Sequence, residues 1–146
     1  MSDKTLIVEG LNVAFDGASV VRDLSFTLLP GRCLALVGES GSGKSVSARC
    51  LVGLAGGRAQ VSARRLSFAG HDLLDLSERQ WRAVRGKDIG FVLQDALVSL
   101  DPLRPVGKEI REVLQTHGYG DRHTRTARVH ELLERVGVPD VELLSL

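Results

Sequence analysis

The sequence has few of the features that would take it outside an ordinary folded domain. Its 146 residues carry a formal net charge of +1, and aromatic residues make up 4% of them. Lysine and arginine are scattered, so we expect no nucleic-acid partner. No apolar run approaches the roughly 18 residues that a membrane-spanning helix needs. The first residues also lack the basic and then apolar pattern of a signal peptide, so we expect a cytoplasmic chain.

Cysteine is also scarce. The chain has two, Cys33 and Cys50, and both lie in apolar stretches. We expect two buried free thiols in a reducing compartment. No set of cysteine and histidine residues has the spacing of a zinc site.

What the sequence does have is a glycine-rich loop at residues 38–45, Gly-Glu-Ser-Gly-Ser-Gly-Lys-Ser. This is the phosphate-binding pattern Gly-x-x-x-x-Gly-Lys-Ser/Thr, whose glycines let main-chain N–H groups turn inward around a phosphate chain. Lys44 would supply a charge to the β- and γ-phosphates, and Ser45 a hydroxyl to Mg²⁺. The residues predicted to contact a nucleotide here are Gly38, Glu39, Ser40, Gly41, Ser42, Gly43, Lys44, Ser45 and Val46.

The context of this loop favours the functional interpretation over a surface turn that happens to hold a lysine. The short apolar run at residues 33–37 is typical of a buried parallel strand, and residues 46–54 suit a helix. A strand before the loop and a helix after it are what a phosphate-binding loop requires.

The rest of the chain predicts an α/β fold with an antiparallel region first and helices last. Hydrophobic alternation predicts strands within residues 5–15 and 20–28, separated by a turn at Asp16-Gly17. Further predicted features are a strand at 65–68, a capping box at 77–80 that begins a short helix ending near Gly86, a buried parallel strand at 89–93, and helices with apolar stripes at 106–114 and 129–136, the latter ending at Gly137.

With these motifs the chain resembles the ATP-binding subunits of ABC transporters, and most of all the subfamily that powers dipeptide, oligopeptide and nickel importers. Residues 37–45 and 90–95 carry the resemblance, with residues 99–102 behind them. It implies that Gln94 links the metal and the γ-phosphate to the helical subdomain that touches the membrane partner. It also implies that Phe15 stacks on adenine, although a core position for this residue is the alternative. Ala96 stands where the family pattern has proline.

The resemblance further implies a division into an antiparallel region at about 1–32, a phosphate-loop α/β core at 33–95 and an incomplete helical subdomain at 96–146. Lys44 and Gln94 would be the catalytic residues, Ser45 and Gln94 the metal-binding ones, and ATP and Mg²⁺ the cofactors. The implied partners are integral-membrane permease subunits and a second ABC ATPase subunit. The chain would then lie at the inner face of the cell membrane, with residues 94–106 as the partner-facing surface.

Three elements of a complete ABC ATPase are absent from the sequence: the Leu-Ser-Gly-Gly signature, the second acidic strand with its catalytic glutamate, and the switch histidine. The final residues 144–146 resemble only the approach to the signature. We therefore expect a truncated module that binds ATP at best, with apolar strand edges left exposed and marginal stability.

Several other functions remain open at this point. One is a phosphate-loop kinase or GTPase, although the chain has no Asn-Lys-x-Asp guanine-recognition motif and the antiparallel strands ahead of the loop are unusual for either. Another is a non-catalytic ABC module. The last is a soluble ABC protein outside transport, such as one in DNA repair or phosphonate breakdown.

Overall fold

A computed structural model describes residues 4–94 and 100–138 of the chain. Within them it has five strands and four helices. In chain order they are β1 (Leu6–Phe15), β2 (Ala18–Leu28), α1 (Lys44–Cys50), β3 (Ala59–Ser62), β4 (Arg65–Phe68), β5 (His71–Asp72), α2 (Glu78–Val84), α3 (Val106–Thr116) and α4 (Arg122–Arg135). Asp95 and Ala96, which follow Gln94, and the C-terminal residues 144–146 lie outside the described residues.

The chain divides into two compact units, of which the first ends at Arg82 and the second begins at Ala83. The first unit contains the sheet and α1, and the second contains α3 and α4. The finer division at about residues 32 and 95 stays a prediction.

The sheet of the first unit is antiparallel, as predicted for the start of the chain. Its strand order is β2-β1-β4-β5, and β3 pairs with β1 as well. A two-residue turn joins β1 to β2, with Phe15 directly opposite Ala18. Both turn residues have positive φ, +49° at Asp16 and +84° at Gly17, which matches the twist of the two strands.

A β-bulge in β1 determines which of its side chains are buried in the core of this unit. Val8, Leu11 and Val13 are each at most 1% exposed. The spacing of three between Val8 and Leu11 breaks the alternation of a regular strand, and the register with β2 shifts at the same place. Gly10 adopts a φ of +62° there, so a β-bulge returns the apolar side chains to the buried face.

The parallel strands predicted at residues 33–37 and 89–93 are wrong for the described structure. Residues 33–37 have irregular backbone, and residues 89–93 contain a single parallel bridge, between Ile89 and Arg85. The predicted apolar edges are exposed: Val37 is 89% and Val92 92% solvent-accessible. A buried parallel strand needs neighbours on both sides, and in the described residues β1, β2, β3, β4 and β5 pair only with one another.

The predicted capping box is confirmed at the start of α2. The main-chain N–H of Ser77 donates to Gln80 Oε1 at 2.9 Å, and the N–H of Gln80 donates to Ser77 Oγ at 3.4 Å. The helix holds Trp81 in the core of the first unit at 7% exposure. The two polar side chains thereby satisfy donors that the first turn of a helix leaves free.

The second unit is built on α3 and α4, as the apolar stripes predict. Val129 is fully buried and Leu133 is 4% exposed. Asp121 caps α4 by accepting the N–H of Thr124 at 2.8 Å, and Gly137 follows its end with a φ of +74°. Among the described residues no helix is long and apolar enough to cross a membrane.

Candidate phosphate-binding site

The loop between residues 37 and 44 closes into a ring. Gly38, Gly41 and Gly43 have φ values of +155°, +80° and +84°, which residues with a side chain rarely adopt. The N–H of Ser42 donates to the carbonyl oxygen of Glu39 at 3.3 Å, so the middle of the ring is a tight turn. The pattern of glycines in the sequence therefore matches the backbone that these positions adopt.

The ammonium group of Lys44 is bonded to oxygens of this ring. Nζ donates to the carbonyl oxygens of Gly38 at 2.8 Å and Glu39 at 2.6 Å, and to Ser42 Oγ at 3.2 Å. Lysine carries three donors, and each finds an acceptor on the loop. The charge predicted to bind phosphate is thus positioned by the same loop that would surround the phosphate.

The ring rests directly on the edge strand β2. A Cβ atom built on Gly43 would lie 2.9 Å from the carbonyl oxygen of Val20, 2.9 Å from Val21 Cγ2 and 3.5 Å from Val20 Cγ1. Only glycine allows both this contact and the φ of +84°. The sheet and the loop are therefore fixed to each other at Gly43.

Ser47 supports the ring from within α1, a role that the sequence analysis missed. Its side chain is buried, and its hydroxyl donates to the carbonyl oxygen of Gly43 at 3.0 Å, which also accepts the main-chain N–H of Ser47 at 2.8 Å. A small polar residue four positions after the last loop glycine is the signal that would have indicated it.

Phe15 lies at the end of β1 and is partly exposed. It stands opposite Ala18 of β2 and opposite Ala59 of β3. Ala18 is two residues from Val20, which contacts the Gly43 position, and two residues of a strand span about 7 Å. The fold thus brings Phe15 to the same stretch of β2 as the loop, while its role in stacking stays a prediction.

The remaining predicted loop residues are on the surface. Glu39, Ser40 and Ser45 are exposed and Val46 is half-buried. Ser45 occupies the second position of α1, beside Lys44. In the described part of the chain no cluster of three or more His, Cys, Asp or Glu residues is arranged to hold a metal ion.

Gln94 is exposed and belongs to the second unit, whereas the loop belongs to the first. Its predicted part in metal binding and catalysis therefore stays a prediction. Of the partner-facing segment, residues 95–99 lie outside the described structure, and Leu103 is 91% exposed. Arg104 pairs with Glu112 of α3 at 2.6 Å, and this hydrogen bond raises the pKa of the guanidinium above its usual value.

The two cysteines differ in a way that the sequence did not indicate. Cys50 ends α1 and is 4% exposed, and burial raises the pKa of its thiol to about 11. Cys33 is exposed, which contradicts the predicted burial of both thiols. Residues 33–37 form no strand, so Cys33 is not packed between neighbouring strands as predicted.

A glycine ring that closes on a lysine at the start of a helix has two parts of a nucleotide phosphate-binding loop, and the strand expected at residues 33–37 is the part that the described structure lacks. The comparison with protein families agrees, since residues 21–145 match the ABC transporter family. The chain therefore belongs to the ABC transporter family.

Known relatives of the chain include ATP-binding proteins of dipeptide transport and of glutathione import. The chain is 41% identical to the dipeptide transport ATP-binding protein DppD of Lactococcus lactis subsp. cremoris, over 97% of this chain and 42% of the relative. It is 38% identical to DppD of Escherichia coli, over 92% of this chain and 42% of the relative. It is also 38% identical to the glutathione import ATP-binding protein GsiA of Shigella flexneri, over 95% of this chain and 24% of the relative. The chain thus spans less than half the length of these relatives.

Proposed function

We propose that this chain is the nucleotide-binding part of an ABC importer ATPase that serves peptides or a similar small solute. The observation that carries the proposal is the position of the Lys44 ammonium group, which three oxygens of the residue 38–43 ring hold at 2.6 to 3.2 Å. The similarity to DppD and GsiA supports the class of solute.

On phosphate binding, the Lys44 ammonium group would exchange its hydrogen bonds to the loop for hydrogen bonds to phosphate oxygens. Its ammonium group now donates to two neutral carbonyl oxygens and a hydroxyl. Phosphate oxygens carry negative charge, and charge-assisted hydrogen bonds are roughly twice as strong as neutral ones. A triphosphate is therefore a better acceptor for this group than the loop itself, and the freed carbonyl oxygens return to water.

The positive φ values of Gly38, Gly41 and Gly43 support a contribution of main-chain N–H groups to phosphate binding, beside that of Lys44. In such a ring successive main-chain N–H groups turn toward one centre and form an anion-binding nest. The start of α1 adds the partial positive charge of its free N–H groups. Phe15, at the end of β1, offers an aromatic face to the base.

Ser45 fits the metal that accompanies ATP. Mg²⁺ takes oxygen ligands, keeps several waters and binds mainly through substrate phosphates, so a single exposed hydroxyl beside Lys44 is a suitable protein ligand. When bound, the ion would neutralise charge on the phosphates. Gln94 is the second proposed ligand, on the resemblance alone.

The remaining parts of the proposal concern the complete protein. Hydrolysis would need a base that this sequence does not contain, so the chain binds ATP and contributes Lys44 and Gln94 to catalysis in a larger ATPase. A second ABC ATPase subunit and permease subunits would be its partners at the inner face of the membrane. The segment 94–106 would face the permease, and the exposed Leu103 suits an apolar contact there.

Thermal melting with and without saturating Mg-ATP tests the binding part of this proposal. At a hundredfold excess over Kd, linkage adds about 2.7 kcal/mol to the free energy of unfolding. Lys44→Ala should lose this stabilisation, whereas Lys87→Ala, which removes an exposed lysine of the second unit, should keep it. Equal stabilisation of both variants would contradict the proposal.

The transport part needs a different experiment. Affinity purification of the full-length protein from detergent-solubilised membranes should bring down a protein with several membrane spans. Recovery with only soluble proteins, while Mg-ATP still raises the melting temperature, would leave the nucleotide site intact and point to a soluble ABC protein outside transport.

A further inference from the structure

The edge strand β2 has one extra residue where the loop packs on it. Val13 pairs with Val21 and the next residue, Ala14, pairs with Ser19, so one step along β1 matches two along β2. The residue passed over is Val20. This is the arrangement of a β-bulge, which bends its strand and changes the aim of the side chains near it.

The bulge is also the point of contact with the phosphate loop. Side chains of adjacent residues in a regular strand point to opposite faces. Here both valines reach one glycine, since a Cβ on Gly43 would lie 3.5 Å from Val20 Cγ1 and 2.9 Å from Val21 Cγ2. The loop is therefore seated on the bulge and not on a regular part of β2.

The turn end of the β1–β2 hairpin, which carries Phe15, lies on the other side of the bulge. Phe15 pairs with Ala18, and only Ser19 stands between Ala18 and the bulged Val20. The rigid two-residue turn at Asp16-Gly17 fixes this end of the hairpin. The number of β2 residues between Ala18 and Val21 thus sets how far Phe15 stands from the loop.

We infer that the bulge at Val20 sets the separation between the phosphate loop and the Phe15 ring. One ATP molecule can then place its phosphates in the loop and its base on the ring. Val20 is then a positioning residue for the nucleobase. This inference rests on the proposed function, because it takes ATP as the ligand. The covalent structure of ATP limits the distance between its base and its phosphates. Adding or removing one strand residue would shift Phe15 relative to the loop by about 3.3 Å.

The test compares two ligands in the presence of Mg²⁺: ATP, which would use the loop and Phe15, and inorganic tripolyphosphate, which would use the loop alone. Deletion of Val20 makes the step between Val13 and Ala14 regular. Because Val20 also contacts the loop at Gly43, the readout is the ratio of the two Kd values. The deletion should weaken ATP binding roughly fivefold or more beyond any change in tripolyphosphate binding, as expected for a lost base–aromatic stack. Val20→Ala removes one contact with the loop and should act in the same direction with a smaller effect.

Two further variants separate positioning from general damage. Gly10→Ala disturbs the bulge of β1, where the added Cβ meets the Arg64 guanidinium at 2.5 Å, and should lower stability without changing the ratio of the two Kd values. In a Phe15→Ala background the Val20 variants should weaken ATP binding no further, because their effect passes through the ring.

The outcomes are distinct. If the wild-type chain binds neither ligand, the phosphate site and the proposed function fail together. If it binds both, the positioning role alone is overturned by either of two results: an unchanged Kd ratio in the Val20 variants, or an equal loss of ATP affinity when Phe15 is already alanine. Should the deletion variant fail to fold by circular dichroism, the same criteria apply to Val20→Ala.

Discussion

The carbonyl oxygen of Val20 lies 2.9 Å from the point that a Cβ of Gly43 would occupy. This is closer than real Cβ atoms approach other atoms, so a side chain at position 43 requires the loop to move away from β2. The contact joins the antiparallel sheet to the glycine ring, and it does so at the residue directly before Lys44.

A pair of glycine variants measures what this contact contributes. Gly41 and Gly43 have similar φ values, +80° and +84°, so alanine at either position carries similar backbone strain, about 1–2 kcal/mol. Only Gly43 meets neighbouring atoms, whereas nothing lies within 4 Å of a Cβ at Gly41. Gly43→Ala should therefore cost about 1–3 kcal/mol more than Gly41→Ala in urea denaturation. Equal losses would show that the loop is not held against β2.

The sequence predicted the loop better than the strands around it. The positive φ values of the loop follow from its glycines, and the Asp16-Gly17 turn from its two residues, because these are local requirements of the backbone. A parallel strand is not a local property. The apolar run at 33–37 has the composition of a buried strand, yet no neighbour pairs with it among the described residues, and Val37 is exposed.

The bulges explain the other differences. Alternation identified β1 and β2, but sequence periodicity cannot reveal where one strand has an extra residue. Val20 was missed for this reason. Ser47 was missed for another one, since it lies in α1 and acts through its hydrogen bond to the carbonyl oxygen of Gly43. The segment around Gln94 matches a family motif, but its residue types do not require a particular backbone conformation. Its role remains a prediction.

The two thiols should react at very different rates. Cys33 is exposed, whereas Cys50 is buried with a thiol pKa of about 11. Iodoacetamide at pH 8 should therefore label Cys33 quickly and Cys50 only on unfolding, because the thiolate is the reactive form. Cys33→Ser should abolish the fast reaction and Cys50→Ser should leave it.

The raised pKa of Cys50 also predicts a pH dependence of stability. The folded state holds the thiol proton more tightly than the unfolded state, whose pKa is near 9.0. This contribution to stability is complete below pH 9 and is lost as the pH rises toward 11. Cys50→Ser should flatten the decline, and an unchanged slope in that variant would contradict the assignment.

The cap of α4 should give the opposite dependence. The hydrogen bond from the N–H of Thr124 lowers the pKa of Asp121, so the carboxylate stabilises the helix above the unfolded pKa and loses this effect as the pH falls through the folded one. Asp121→Ala should lower the urea midpoint at pH 7, with a difference from the wild type that shrinks in acid. The exposed carboxylate of Asp75 provides a control, and Asp75→Ala should have little effect at either pH. A difference for Asp121→Ala that persists in acid would contradict this role.

The exposed apolar segments predict self-association. Val37 and Val92 are 89% and 92% exposed, on segments with the composition of buried strands. Val92→Lys should reduce light scattering at high protein concentration without lowering the melting temperature, because a charge on an exposed strand-like segment opposes intermolecular pairing. A clear loss of stability would show instead that Val92 is buried in the folded chain.

Calorimetric titration of Mg-ATP into the chain and its Lys44→Ala variant tests the central claim most directly. If the ring of residues 38–43 and the Lys44 ammonium group form one phosphate site, the variant should bind roughly tenfold or more weakly, as expected for the loss of hydrogen bonds to a charged group. The Lys87→Ala control should bind as the wild type does. Equal affinity in the wild-type and Lys44→Ala chains would show that the triphosphate does not bind in this loop.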